Sequence, residues 1–168
     1  MRAKAAPAAS TPAVEVAGQA SRVLRRFRLV FNAVKTHFRQ VEKKAGVGGA
    51  QVWALSVIQA QRGIGVNDLA QAMDIHQTTA SNLVKTLVAA QMVAAEKSAP
   101  DRRMVQLRLL PAGARVLRKA PGPLAGVLPQ ALATLDAQTL ERLDRDLATL
   151  ISALGADERA AGISLAQM

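Results

Sequence analysis

The chain has 168 residues, enough for one domain with a real core, and none of them is cysteine. Disulfides, thiolate metal sites and a cysteine redox sensor are therefore excluded. Lys and Arg outnumber Asp and Glu by 22 to 12, a formal net charge of +10 that favours a polyanionic partner, nucleic acid before membrane. Hydrophobic residues, mostly Ala, Leu and Val, make up 50% and aromatics only 2%, so the expected core is built from helices packed through aliphatic side chains. No apolar run approaches the ~18–20 residues of a membrane helix. The N-terminus is basic and rich in Ala and Pro but lacks an apolar stretch, so it does not read as a secretory signal, and a cytoplasmic protein is expected.

Residues 1–13 are poor in large apolar side chains and are expected to form a disordered arm. Residues 14–49 read as a long amphipathic helix with its terminator. Leu24, Phe27, Phe31, Val34, Phe38 and Val41 recur at three- and four-residue steps, and Arg22, Arg25, Arg26, Arg28, Lys35, Arg39, Lys43 and Lys44 occupy the opposite face. Gly46, Gly48 and Gly49 end it. All three Phe of the chain lie on this stripe, which suggests a large buried contact. Two readings stay open, an interface between subunits and packing within one subunit.

A second helix is expected over Ala50–Gln61, with Val52, Leu55 and Ile58 inward and Trp53 nearby. Gly63–Val66 has the character of a short strand, and Asn67 of an N-cap. From Val66 to Leu109 the pattern is most distinctive. A short helix (Leu69, Ala70, Met73) breaks at Asp74. A second helix opens His76-Gln77-Thr78-Thr79-Ala80-Ser81-Asn82, with Ala80, Leu83, Val84 and Leu87 on one face and Lys85 one turn after Ser81. Two strand-like runs, Met92–Lys97 and Met104–Leu109, flank a basic tip at Ser98–Arg103. Helix, turn, helix and hairpin is the order of a winged helix-turn-helix, in which a helix enters the major groove and a basic tip reaches the adjacent phosphates. Gln and Asn can make bidentate contacts to adenine, and Ser and Thr can bond bases or phosphates. The plainer alternative is a solvated helix start whose hydroxyls act as caps.

Beyond Pro111 a further helix begins, interrupted at Pro121-Gly122-Pro123 and resuming through Leu124–Leu132. Asp136 is the candidate N-cap of a last helix ending near Leu154, where Leu140, Leu143, Leu147, Leu150, Ile151 and Leu154 form a seam suited to a partner helix. The segment 157–168 reads as a frayed tail. From Asp136 to Met168 six acidic residues stand against three basic ones, so the positive excess lies in the first helix and the winged region. The expected architecture is mainly α with a small β wing. Its parts are an N-terminal helix (14–49), a winged helix-turn-helix DNA-binding domain (50–112) and C-terminal helices (113–156), the flanking helices serving dimerisation.

The chain offers only His37 and His76, no Cys or Tyr, and no nucleotide-binding or hydrolase motif, so no catalytic residue, metal ligand or cofactor is expected. Three functional classes remain: a sequence-specific dimeric regulator bound to double-stranded DNA, a weakly specific architectural DNA-binding protein, and a helical interaction module with no DNA role.

The run LAQAMDIHQTTASNLVKTLVAAQMVAAEKSAPDRRMVQLRLLPAG resembles the MarR family of transcriptional regulators, by motif over roughly Ala50–Leu117 and elsewhere by helix layout. The resemblance implies a homodimer with interlocked terminal helices that binds a palindromic operator, usually as a repressor. It places Gln77, Thr78, Thr79, Ser81, Asn82 and Lys85 on the recognition helix, with Arg102 or Arg103 at the minor groove and Asp101 bracing the wing through Arg103. It also implies a pocket for a small aromatic effector, with Phe31, His37, Phe38 and Trp53 as lining; plain core packing is the alternative for these four. The chain departs from the family by carrying Asp74 and Gln91 where glycine is common, Leu110 where Thr is usual, and Asn82 where Arg is frequent.

Overall fold

The computed structural model describes residues 12–97, 105–157 and 161–162. The expected arm falls almost wholly outside these residues, as do the wing tip with Asp101, Arg102, Arg103 and Met104, and most of the expected tail.

Helix α1 (Pro12–Ala45) runs for 34 residues, about 50 Å at 1.5 Å per residue. Its two halves differ. Near its C-terminal end His37, Val41 and Ala45 are buried against the rest of the chain, whereas Val23, Leu24, Leu29, Val30 and Phe31 are exposed. The aromatic stripe therefore packs within the chain only at its C-terminal end. Gly46, at φ +76°, closes the helix by returning its N–H to the Glu42 carbonyl at 2.9 Å.

Helix α2 (Gly49–Ala60) is the centre of the core, with Val52, Ala54, Leu55 and Ile58 almost wholly enclosed. It touches α1, the helix-turn-helix, the second strand of the hairpin and the helix after it. Helices α3 (Val66–Ala72) and α4 (Gln77–Ala89) pack on it through Leu69 and Met73, and through Ala80, Leu83, Val84 and Leu87. The cap of α3 is Gly65, one turn before Leu69, rather than Asn67, because the extended Gly65 carbonyl already accepts the Leu69 N–H at 2.9 Å.

Both helices of the motif end in the same way. After α3 the Ile75 N–H bonds the Ala70 carbonyl and the Asp74 N–H that of Gln71; after α4 the Met92 N–H bonds Leu87 and the Gln91 N–H bonds Val88. This is the Schellman pattern, which forces the residue after the cap into the left-handed region. Asp74 adopts φ +50° and Gln91 φ +55°, at the two positions where the sequence departs from glycine. Asp tolerates this region through local side-chain bonding; Gln has no such help. Gln91→Gly should therefore stabilise the fold. It relieves about 1–2 kcal/mol of left-handed strain and costs about 0.5–1 kcal/mol of added chain entropy. Calorimetry should show the melting temperature rising by about 1–4 °C. A fall would mean that the Gln91 side chain makes a contact worth more than the strain.

Strands β1 (Val93–Lys97) and β2 (Val105–Leu109) pair antiparallel, with Val93 opposite Leu109 and Ala95 opposite Leu107. Val93 and Leu107 are buried while Val105 at the distal end is exposed, so the hairpin leaves the core as it runs outward. The stem carries a cross-strand ion pair between Arg108 and Glu96, and this bond with its attraction holds the guanidinium above its ordinary range. The expected strand at Gly63–Val66 does not form as a sheet element. Gly63 turns to φ +78° and Val66 enters α3, leaving one bond from the Leu107 N–H to the Ile64 carbonyl at 2.9 Å.

Helix α5 (Pro111–Lys119) starts with proline at its first position behind an extended Leu110 that supplies no side-chain cap. The chain resumes as helix α6 at Val127–Leu132, later than the expected Leu124, because Gly126 sits at φ +107°, outside helical space. Helix α7 (Ala137–Leu154) begins at Asp136, whose carboxylate accepts the Thr139 N–H at 2.9 Å and the Thr139 hydroxyl at 2.8 Å. These bonds hold the carboxyl below its ordinary range. No residue of α7 is buried, and Leu140, Leu143, Leu147, Leu150 and Ile151 each keep 37–41% of their surface open. Among the described residues no helix is long and apolar enough to cross a membrane.

Candidate nucleic-acid interface

Helix α4 turns one face inward and the opposite face to solvent. At about 100° per residue, Ala80, Leu83, Val84 and Leu87 centre on one direction, and Thr78, Ser81, Asn82 and Lys85 centre on the opposite one. Gln77 and Thr79 flank the outward group. Thr78, Asn82 and Lys85 are exposed, and Ser81 and Thr79 are half-buried. A row of hydroxyl, amide and ammonium groups thus stands on a helix anchored by four buried aliphatic side chains. The helix carries no acidic residue in its first turn to repel phosphate.

His76 is the N-cap of α4 in extended conformation. Its backbone N–H donates to the Gly162 carbonyl at 3.0 Å, and the Thr79 hydroxyl donates to the same oxygen at 3.4 Å. The helix start is therefore covered from a distant part of the chain, which no local pattern announced.

Of the residues expected to line a pocket, Phe38 and Trp53 border a half-open cavity of about 190 Å³ between α1, α2, the α3–α4 turn and α6. Phe31 is 63% exposed and stacks on Phe27, ring centres 6.3 Å apart; His37 is 7% exposed and tilts against Phe38 at 5.6 Å. Neither borders the cavity. Met73, Asp74, Ile75 and the α6 residues Val127, Leu128 and Pro129 do, and sequence reasoning missed them as a group because they come from segments far apart in the chain. Among the described residues of this lining Asp74 is the one ionisable group. Among the described residues no three His, Asp or Glu side chains gather in a way that would hold a metal ion.

A model of the MarR family matches residues 45–104, and no curated protein matches the chain. Among solved structures the chain is similar to a Staphylococcus aureus MepR–DNA complex, at 20% identity over 77% of this chain and 96% of that one, with a TM-score of 0.55. It is similar to a mutant E. coli MarR complexed with operator DNA, at 17% identity over 77% and 96%, with a TM-score of 0.52. It is also similar to the YusO protein of Bacillus subtilis, at 17% identity over 85% and 99%, with a TM-score of 0.50. The identities are low, and what these three share with the chain is the fold. Residues 45–104 thus match the MarR family model, and the chain as a whole shares the winged helix-turn-helix fold of these structures.

Proposed function

We propose that this protein is a dimeric, sequence-specific DNA-binding transcriptional regulator that acts in the cytoplasm as a repressor on a palindromic operator. The observation that carries the reading is the outward row Thr78, Ser81, Asn82 and Lys85 on a helix rigidly seated by its opposite face. In this role α4 lies in the major groove, Asn82 and Gln77 read base edges, and the hydroxyls and Lys85 meet bases or phosphates. Arg102 and Arg103 reach the minor groove or its phosphates, with Asp101 bracing the wing. Two of the structural neighbours are bound to DNA, one of them to operator DNA, and the net charge of +10 suits the same partner.

A dimer is supported by the open leucine face of α7 and the exposed apolar residues on the first half of α1, both of which need covering. Two-fold symmetry would place two α4 helices in successive major grooves and make the operator a palindrome. The cavity beside the α3–α4 turn is where a small aromatic effector would bias the position of α4. The Asp74 carboxylate in its wall favours a neutral or cationic aromatic over an acid.

The test is selection of genomic DNA fragments by the purified protein at ~150 mM salt, followed by footprinting of the best fragment. A two-fold protected site beside a promoter, with half-sites about one helical turn apart, is the expected result. Equal retention of scrambled and genomic fragments would replace this reading with a weakly specific architectural role, supported by the same charge.

A further inference from the structure

The last described residues return to the end of the molecule that α4 presents. Ala161 and Gly162 form a short turn. Ala161 lies in the wall of the cavity beside the α3–α4 turn. The Gly162 carbonyl takes the His76 N–H and the Thr79 hydroxyl, two of the donors at the start of α4. The approach is so close that a Cβ built on Gly162 would stand 2.1–2.5 Å from three atoms of the His76 ring. A side chain there would require the exposed His76 ring to swing aside.

We infer that Ala161–Gly162 is an autoinhibitory strap: it occupies the start of α4, and DNA must displace it to bind. The inference rests on the reading of α4 as the DNA-contacting helix. A backbone carbonyl and a phosphate or base acceptor compete for the same donors, so the two states exclude one another. While the strap is docked the binding-competent fraction is reduced, and the apparent DNA affinity falls by that fraction. The strap is tethered, so its effective concentration is high and two modest hydrogen bonds suffice to hold it most of the time.

Two variants of the full chain separate this from a charge effect. Gly162→Leu keeps every charge and puts a bulky side chain where the His76 ring now lies, so the strap can seat only if that ring moves. A chain ending at Asp157 removes one acidic and one basic side chain, Glu158 and Arg159, and leaves their sum unchanged. Without DNA, amide hydrogen exchange at His76 is read in all three proteins. A helix-capping N–H has no acceptor inside its own helix, so its protection reports the strap. With DNA, affinity is read for the best genomic fragment and for a scrambled duplex of equal length. Both variants should lose protection at His76 and bind the genomic fragment about tenfold more tightly. Unchanged exchange would show that the contact does not form. Changed exchange with unchanged affinity would show a strap that does not inhibit; either result overturns the inference. Failure of the α4 reading looks different. His76 protection would still be lost in both variants, yet none of the three proteins would prefer the genomic fragment to the scrambled one, and the strap would then have nothing to inhibit.

Discussion

Replacing Thr78, Ser81 and Asn82 together by alanine should lower affinity for the footprinted site by about a hundred- to a thousandfold while the melting temperature stays within about 2 °C. A well-made base contact contributes about 1–3 kcal/mol of discrimination, and two contacts near the middle of that span, about 3–4 kcal/mol together at 1.4 kcal/mol per tenfold, give this range. The fold should tolerate the change because these side chains lie opposite the buried row of Ala80, Leu83, Val84 and Leu87, and alanine is a better helix former than any of the three. Affinity for a scrambled duplex should fall much less, because non-specific binding draws on the chain's positive charge and the triple variant removes none of it. Exchanging Arg102 and Arg103 for alanine should have the opposite signature, weakening both duplexes alike and flattening the salt dependence. Equal losses on both duplexes for the triple variant would reduce α4 to a phosphate contact and end the case for sequence-specific reading.

The second large effect belongs to Gly113 in α5. A Cβ at this position would stand 2.5 Å from the Met92 carbonyl oxygen, 2.7 Å from Leu109 Cδ1 and 3.0 Å from Leu55 Cδ2. The Met92 carbonyl is already bonded to the Leu110 N–H at 2.9 Å, so this backbone cannot give way without loosening the base of the hairpin. Glycine lets α5 lie directly on the point where α4 ends and β1 begins. Gly113→Ala should cost about 1–2 kcal/mol, since overpacking of about 1–3 kcal/mol is partly offset by helix propensity. Gly113→Val should cost about 3 kcal/mol and lower the melting temperature by about 6–12 °C. The opposite sign is expected for Gly18→Ala in α1, where the nearest group to an added Cβ is the end of the Arg22 side chain at 3.8 Å. Thermal unfolding of the three variants tests the geometric argument, and equal effects at positions 18 and 113 would refute it.

Much of the fold was legible because its causes are local. The 3.6-residue spacing of Ala80, Leu83, Val84 and Leu87 needs only one helix to exist, and it also fixes which residues face away. Asp136 announced a helix start because its carboxylate reaches the N–H of Thr139, three residues on. Asp74 and Gln91 stood out in the sequence as departures from glycine, and both lie in the left-handed region. Local patterning erred where backbone torsions overrode it. Gly63, at φ +78°, turned an apparent strand away ahead of α3, and Gly126 delayed α6 to Val127.

By itself, then, the sequence determined the order of elements, the outward row on α4, the basic first helix and the leucine seam of α7, since each is written in contacts between residues three or four apart. Only the tertiary structure decided which aromatics border the cavity, why Gly113 tolerates no side chain, and that Gly162 covers a helix start 83 residues away from it at Thr79. Those features depend on the distance between segments that the chain brings together from far apart. Periodicity cannot carry that information, because a side chain's inward or outward direction says nothing about what it meets there.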